Sequence, residues 1–89
     1  MNRFHDDKTL QIYETRFAAD VPEHITVAAH ETMHPLVAAC TLQDVGTQGS
    51  IIRLRNSPDR YGLHIDGKWH VTFAWCDNFG AYDILLERR

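Results

Sequence analysis

The sequence predicts an α+β fold: N-terminal helices packed on one face of a small, largely antiparallel four-stranded sheet. Three observations point there. Up to residue 45 the apolar residues recur three or four apart, the helical period. Beyond residue 50 they alternate, the strand period. Between them lies a polar, glycine-containing stretch, Val45-Gly46-Thr47-Gln48-Gly49-Ser50, which reads as a loop. With 89 residues there is room for one domain, 1–89, and a modest core.

The elements follow in order. Asp6 or Asp7 can cap a short helix carrying Leu10, Tyr13 and Glu14. Asp20-Val21-Pro22-Glu23 reads as a second helix start: a capping aspartate, a proline in the first turn, then an acidic group at the positive end of the dipole. Ile25, Ala28, Ala29, Met33, Leu36 and Cys40 then repeat at helical spacing. Pro35 removes a backbone hydrogen bond at a cost of about 3 kcal/mol. The expectation is a kink there, or a break with a second short helix from Pro35 to Leu42.

The strands come next. Ile51 to Arg55 alternates weakly, Tyr61 to Ile65 clearly. Trp69, Val71, Phe73 and Trp75 alternate with His70, Thr72 and Ala74. Ala81 to Leu86 is the last strand, with Tyr82, Ile84 and Leu86 expected on one face. A two-residue turn at Asp66-Gly67 would mix apolar and imidazole groups on each face. A three-residue loop, Asp66-Gly67-Lys68, pairs Ile65 with Trp69, His64 with His70 and Leu63 with Val71. Burial favours the second register, because a slip of one residue turns every side chain over. His64 and His70 then face each other on the side of the sheet away from the helices.

Composition narrows the function classes. No apolar run approaches the ~18 residues of a membrane span. The polar start, Met1 to Lys8, lacks the character of a secretory signal, and a cytoplasmic location is expected. Cys40 and Cys76 are too few for a disulfide framework or a four-cysteine zinc site and are expected to be reduced, partly buried thiols. Cys76 beside Asp77 has no basic neighbour to lower its pKa, so a thiolate nucleophile is not indicated. The net charge of −3 argues against nucleic acid, yet it is unevenly spread. Residues 1–45 hold three basic groups against seven acidic; residues 46–89 hold six against five.

Two constellations carry possible chemistry. His30-Glu31-Thr32-Met33-His34 matches H-E-x-x-H, which on a helix offers two imidazoles to zinc and a glutamate as general base. Set against it, Pro35 follows at once and no third ligand has diagnostic spacing. The competing reading puts Met33 and Ala29 in the core and leaves His30, Glu31 and His34 on a solvated face. The second constellation combines His64 and His70 with Arg53, Arg55 and the terminal Glu87-Arg88-Arg89. Imidazoles can move protons at a ribose hydroxyl and a leaving oxygen, and guanidiniums can hold the phosphate between them. The competing reading is the ordinary wet face of a sheet.

The run from Asp59 to Trp75, followed by Asn78-Phe79-Gly80-Ala81-Tyr82-Asp83-Ile84, resembles the HigB branch of the RelE/ParE toxin superfamily. In the first half, Phe4-x-Asp6-x-x-Thr9, Ile12-Tyr13, Val21-Pro22-x-x-Ile25 and Leu36-x-x-Ala39-x-x-Leu42-x-Asp44 sit where that family has similar residues. The resemblance implies the RelE-like fold and a type II toxin. Such a toxin is an endoribonuclease that cleaves mRNA on the ribosome by 2′-hydroxyl attack. Its implied partner is a HigA-like helix-turn-helix antitoxin, with no cofactor and no metal. His70 stands where the family has an arginine after the tryptophan. Arg53 and Arg55 are candidates for its basic position in the preceding segment. Glu87-Arg88-Arg89 replace its terminal D-Y-H. With His64 added from the strand register, the expected catalytic set is His70, His64, Arg89 and Glu87, with Arg53, Arg55 and Arg88 on RNA phosphates. The alternatives are a toxin-like module that only binds its antitoxin and, more remotely, a zinc protein using residues 30–34.

Overall fold

The computed structural model describes residues 3–46, 51–53 and 60–88. Helix α1 (Asp7–Thr15) starts at Asp6, whose carboxylate accepts from the Thr9 backbone N–H at 2.8 Å. It ends at Arg16 in a left-handed conformation, φ 63°. Helix α2 (Glu23–Ala38) begins at Pro22, not at a capping Asp20. The Asp20 carboxylate instead receives the Lys8 ammonium at 3.1 Å, which lowers its pKa.

Pro35 neither breaks nor ends α2, which runs through it to Ala38. Met33 and Leu36, flanking the proline, are fully buried, and their packing holds the turn that the missing hydrogen bond leaves weak. A separate short helix does follow, but later, as α3 (Leu42–Gly46). Thr41 and Asp44 cap it reciprocally: each side chain accepts from the other's backbone N–H, at 3.1 and 3.2 Å. Val45, expected in the central loop, is a buried core residue of this helix, and residues 47–50 lie outside the described region.

The expected four-stranded sheet is corrected. Three long antiparallel strands carry it: β2 (Arg60–Asp66), β3 (Trp69–Cys76) and β4 (Gly80–Arg88). Of the expected first strand, the described part is β1 (Ile51–Arg53), paired along β2. The rest of that expected strand, up to Arg55, lies outside the described residues.

Register follows burial where burial has something to decide. Leu63 pairs with Val71 and His64 with His70 as expected, but Asp66, not Ile65, pairs with Trp69. The turn itself is Gly67-Lys68, and a bulge at Ile65 takes up the extra residue. Gly67 adopts the left-handed conformation, φ 57°, so Lys68 need not. A second bulge interrupts β3–β4. Thr72 pairs with Leu85 and Ala74 with Tyr82, so Asp83 and Ile84 together oppose Phe73. Asp83 takes φ 53°, and the phase of β4 changes there. Ala81, Ile84 and Leu86 face inward, and Tyr82 leaves the face it was expected to share with Ile84 and Leu86.

The core lies between the helices and one sheet face. Ile12, Ile25, Ala29, Met33 and Leu36 meet Leu63, Val71, Phe73, Ile84 and Leu86. The N-terminal segment closes the outer edge of β4. His5 N–H donates to the Ile84 carbonyl at 2.8 Å, and Ile84 N–H to the Arg3 carbonyl at 3.0 Å. The buried Thr9 hydroxyl accepts from Leu86 N–H, and Arg3 donates to the Ala81 carbonyl. The edge is thereby protected from pairing with another chain. Cys40 and Cys76, expected partly buried, are both exposed free thiols. Among the described residues no helix is long and apolar enough to cross a membrane.

Candidate functional site

The outer sheet face carries the site. In the pairing of β2, β3 and β4, His64, His70 and Glu87 form one row across the three strands. Directly paired residues project from the same face, so all three point away from the core that Val71 and Leu86 enter. The His64 and His70 rings stand edge to face with centroids 5.2 Å apart. His64 is exposed and His70 half-buried.

Both rings are tied to one turn. His64 Nε2 lies 2.9 Å from the Gly67 carbonyl oxygen, and His70 Nδ1 lies 3.1 Å from the Lys68 carbonyl oxygen. A carbonyl only accepts, so each of these nitrogens carries the proton and donates it.

The arginines do not all join this row. Arg88 pairs with Trp69, one step along, and so belongs to the helix-side face; its expected partnership with the histidines on a phosphate is not formed. The pleat accounts for this, since neighbouring residues of a strand face opposite ways. Arg53 pairs with Tyr61 in β1, and Arg55 and Arg89 lie outside the described residues.

One arginine on the outer face escaped the sequence reading. Arg60 donates from Nη1 to Asp83 Oδ2 at 2.7 Å, and from Nη2 to the Asp83 carbonyl at 2.9 Å and to Thr72 Oγ1 at 3.1 Å. His5 Nδ1 donates to the other Asp83 oxygen at 2.8 Å. The His5 hydrogen bond and the Arg60 charge hold the Asp83 carboxyl below the ordinary aspartate value, against the opposing effect of burial. This group locks the β4 bulge. The one sequence signal for it was Asp83, a charge inside an otherwise apolar strand.

The H-E-x-x-H residues serve a packing role. His30 Nδ1 donates to the Ile12 carbonyl at 3.2 Å and His34 Nε2 to the Tyr13 carbonyl at 3.3 Å. His34 also stacks on Tyr13 at 4.4 Å. Both imidazoles thus reach carbonyls at the C-terminal end of α1, where the Ile12 carbonyl also accepts from the Arg16 backbone N–H at 2.9 Å. Glu31 points to solvent, while Met33 and Ala29 enter the core. Among the described residues no three His, Cys, Asp or Glu side chains are placed to hold a metal ion.

No protein-family profile matches the chain, and no curated protein is significantly similar to it.

Proposed function

We propose that this chain is a HigB-like toxin of the RelE/ParE superfamily that cleaves mRNA on the ribosome, acting in the cytoplasm and held in check by a HigA-like antitoxin. The reading rests on the sequence resemblance and on one observation: His64 and His70 face each other across β2 and β3 on an open sheet face. Cleavage by a ribose 2′-hydroxyl needs a base to take the hydroxyl proton and an acid to protonate the departing 5′-oxygen. Two imidazoles a ring's width apart can divide those tasks. The hydroxyl oxygen bonds to phosphorus as the phosphorus–5′-oxygen bond breaks, leaving a cyclic phosphate and a free 5′-hydroxyl. Arg55 and Arg89, which lie outside the described residues, are the proposed phosphate contacts, and Glu87 the carboxylate beside His70.

The test is cleavage mapping on translating ribosomes. Wild type should cut the message, and His70→Ala should lose about 10²-fold or more in rate. If both leave the message intact, the enzyme reading is wrong.

A second reading has its own support. Among the described residues no arginine shares the histidine row, which fits a toxin-like module that binds its antitoxin without cutting RNA. Expression without antitoxin separates the two, since only the nuclease should arrest growth.

A further inference from the structure

We infer that the β2–β3 turn fixes the two imidazoles in opposite tautomers, so that protons enter and leave at Nδ1 of His64 and Nε2 of His70. This rests on the ribonuclease reading for its purpose but not for its geometry.

Gly67 and Lys68 present consecutive carbonyls, one to each ring, at 2.9 and 3.1 Å. The Gly67 carbonyl holds the proton of His64 on Nε2. The Lys68 carbonyl holds the proton of His70 on Nδ1. A neutral imidazole has one protonated and one bare nitrogen. The bare ones are therefore His64 Nδ1 and His70 Nε2, and a second proton on either ring goes to that atom. His70 stands between His64 and Glu87 in the row, so a carboxylate flanks the imidazole that becomes cationic on accepting a proton. The division of labour follows. His70 Nε2 takes the 2′-hydroxyl proton. His64, protonated beforehand from solvent, gives its Nδ1 proton to the leaving oxygen. Exchange with water then restores both rings.

Gly67 is the positioning residue. Its φ of 57° turns its own carbonyl back toward His64, and a Cβ there would meet nothing within 4 Å. The turn therefore aims the rings through its backbone and not through side-chain packing.

Nitrogen NMR of the isotope-labelled protein, above the imidazole titration range at about pH 8, reads each tautomer directly. His70 should appear with the proton on Nδ1, the minor form of a free imidazole, and His64 with it on Nε2. Inserting one glycine between Lys68 and Trp69, which separates His70 from the Lys68 carbonyl, should return His70 to the ordinary mixture while circular dichroism keeps the strand signal. Side-chain mimics give an independent measure. An asparagine amide stands near the Nδ1 position and a glutamine amide near Nε2. Melting should therefore favour His70→Asn over His70→Gln, and His64→Gln over His64→Asn. An averaged His70 tautomer in the wild type overturns the inference, as does the reverse order of the mimics. If the tautomers are as stated and the wild type cuts no message, the ribonuclease reading alone falls.

Discussion

Arg60 and Asp83 join the first residue of β2 to the bulge of β4, the guanidinium reaching both the Asp83 carboxylate at 2.7 Å and its backbone carbonyl at 2.9 Å. β3 lies between those strands, and Arg60 crosses it above Thr72 and Ala74, which are buried although they face outward. The pair thus closes one half of the outer face and leaves the His64–His70 half open.

Its pH dependence has a definite sign. The Asp83 carboxyl titrates below its unfolded value, so the stability it contributes is complete above the unfolded pKa of about 3.9 and is lost as pH falls through the folded value. Asp83→Asn should be less stable than wild type at neutral pH, and the difference should shrink below about pH 4. Urea unfolding at several pH values checks this; a constant difference across that range would remove the carboxylate from the account. Arg60→Ala leaves Thr72 uncovered and should cost about 1–3 kcal/mol at neutral pH.

The histidines of α2 act on stability. His30→Ala loses the bond to the Ile12 carbonyl and should cost about 1 kcal/mol, which lowers Tm by roughly 4–8 °C in a domain of this size. The same scan with a chelator should leave the wild-type Tm unchanged. A chelator-dependent fall in Tm would restore a metal to the H-E-x-x-H segment.

Pro35 sits inside α2 and is only half-buried. Pro35→Ala restores the N–H that bonds back to the Glu31 carbonyl and should raise stability by about 1–3 kcal/mol. Thermal melting reads it. A loss would mean that the ring's own packing outweighs the missing hydrogen bond.

Two glycines should respond unequally to alanine. Gly80 has φ 94° and its Cβ would lie 3.6 Å from the Ala39 carbonyl oxygen, whereas Gly67 has φ 57° and open space around it. Gly80→Ala should destabilise by about 2 kcal/mol and Gly67→Ala by about 1 kcal/mol, since alanine tolerates the left-handed helical region better than the region beyond it. Denaturant midpoints for the two variants settle the order.

Much of this was legible locally. The order of helices then strands follows from periodicity, because a helix buries every third or fourth side chain and a strand every second. The facing of His64 and His70 followed from burial alone, since only one register keeps Leu63 and Val71 inside together. A literal H-E-x-x-H match could not reveal that its imidazoles would be spent on α1, whose C-terminal carbonyls become their partners only when the helices pack.

What the amino-acid order determined by itself was the succession of helices then strands, an aspartate cap at Asp6 or Asp7, and the inward residues of α2. Tertiary structure decided the rest: that α2 runs through Pro35 and that a bulge turns Tyr82 away from Ile84. It also put Arg88 on the face opposite His70 and recruited Arg60, Asp83 and His5 into one lock. The physical reason is range. Periodicity and capping act within a few residues of chain, whereas bulges, edge coverage and cross-strand ion pairs arise between segments as far apart as His5 and Asp83, 78 residues along the sequence.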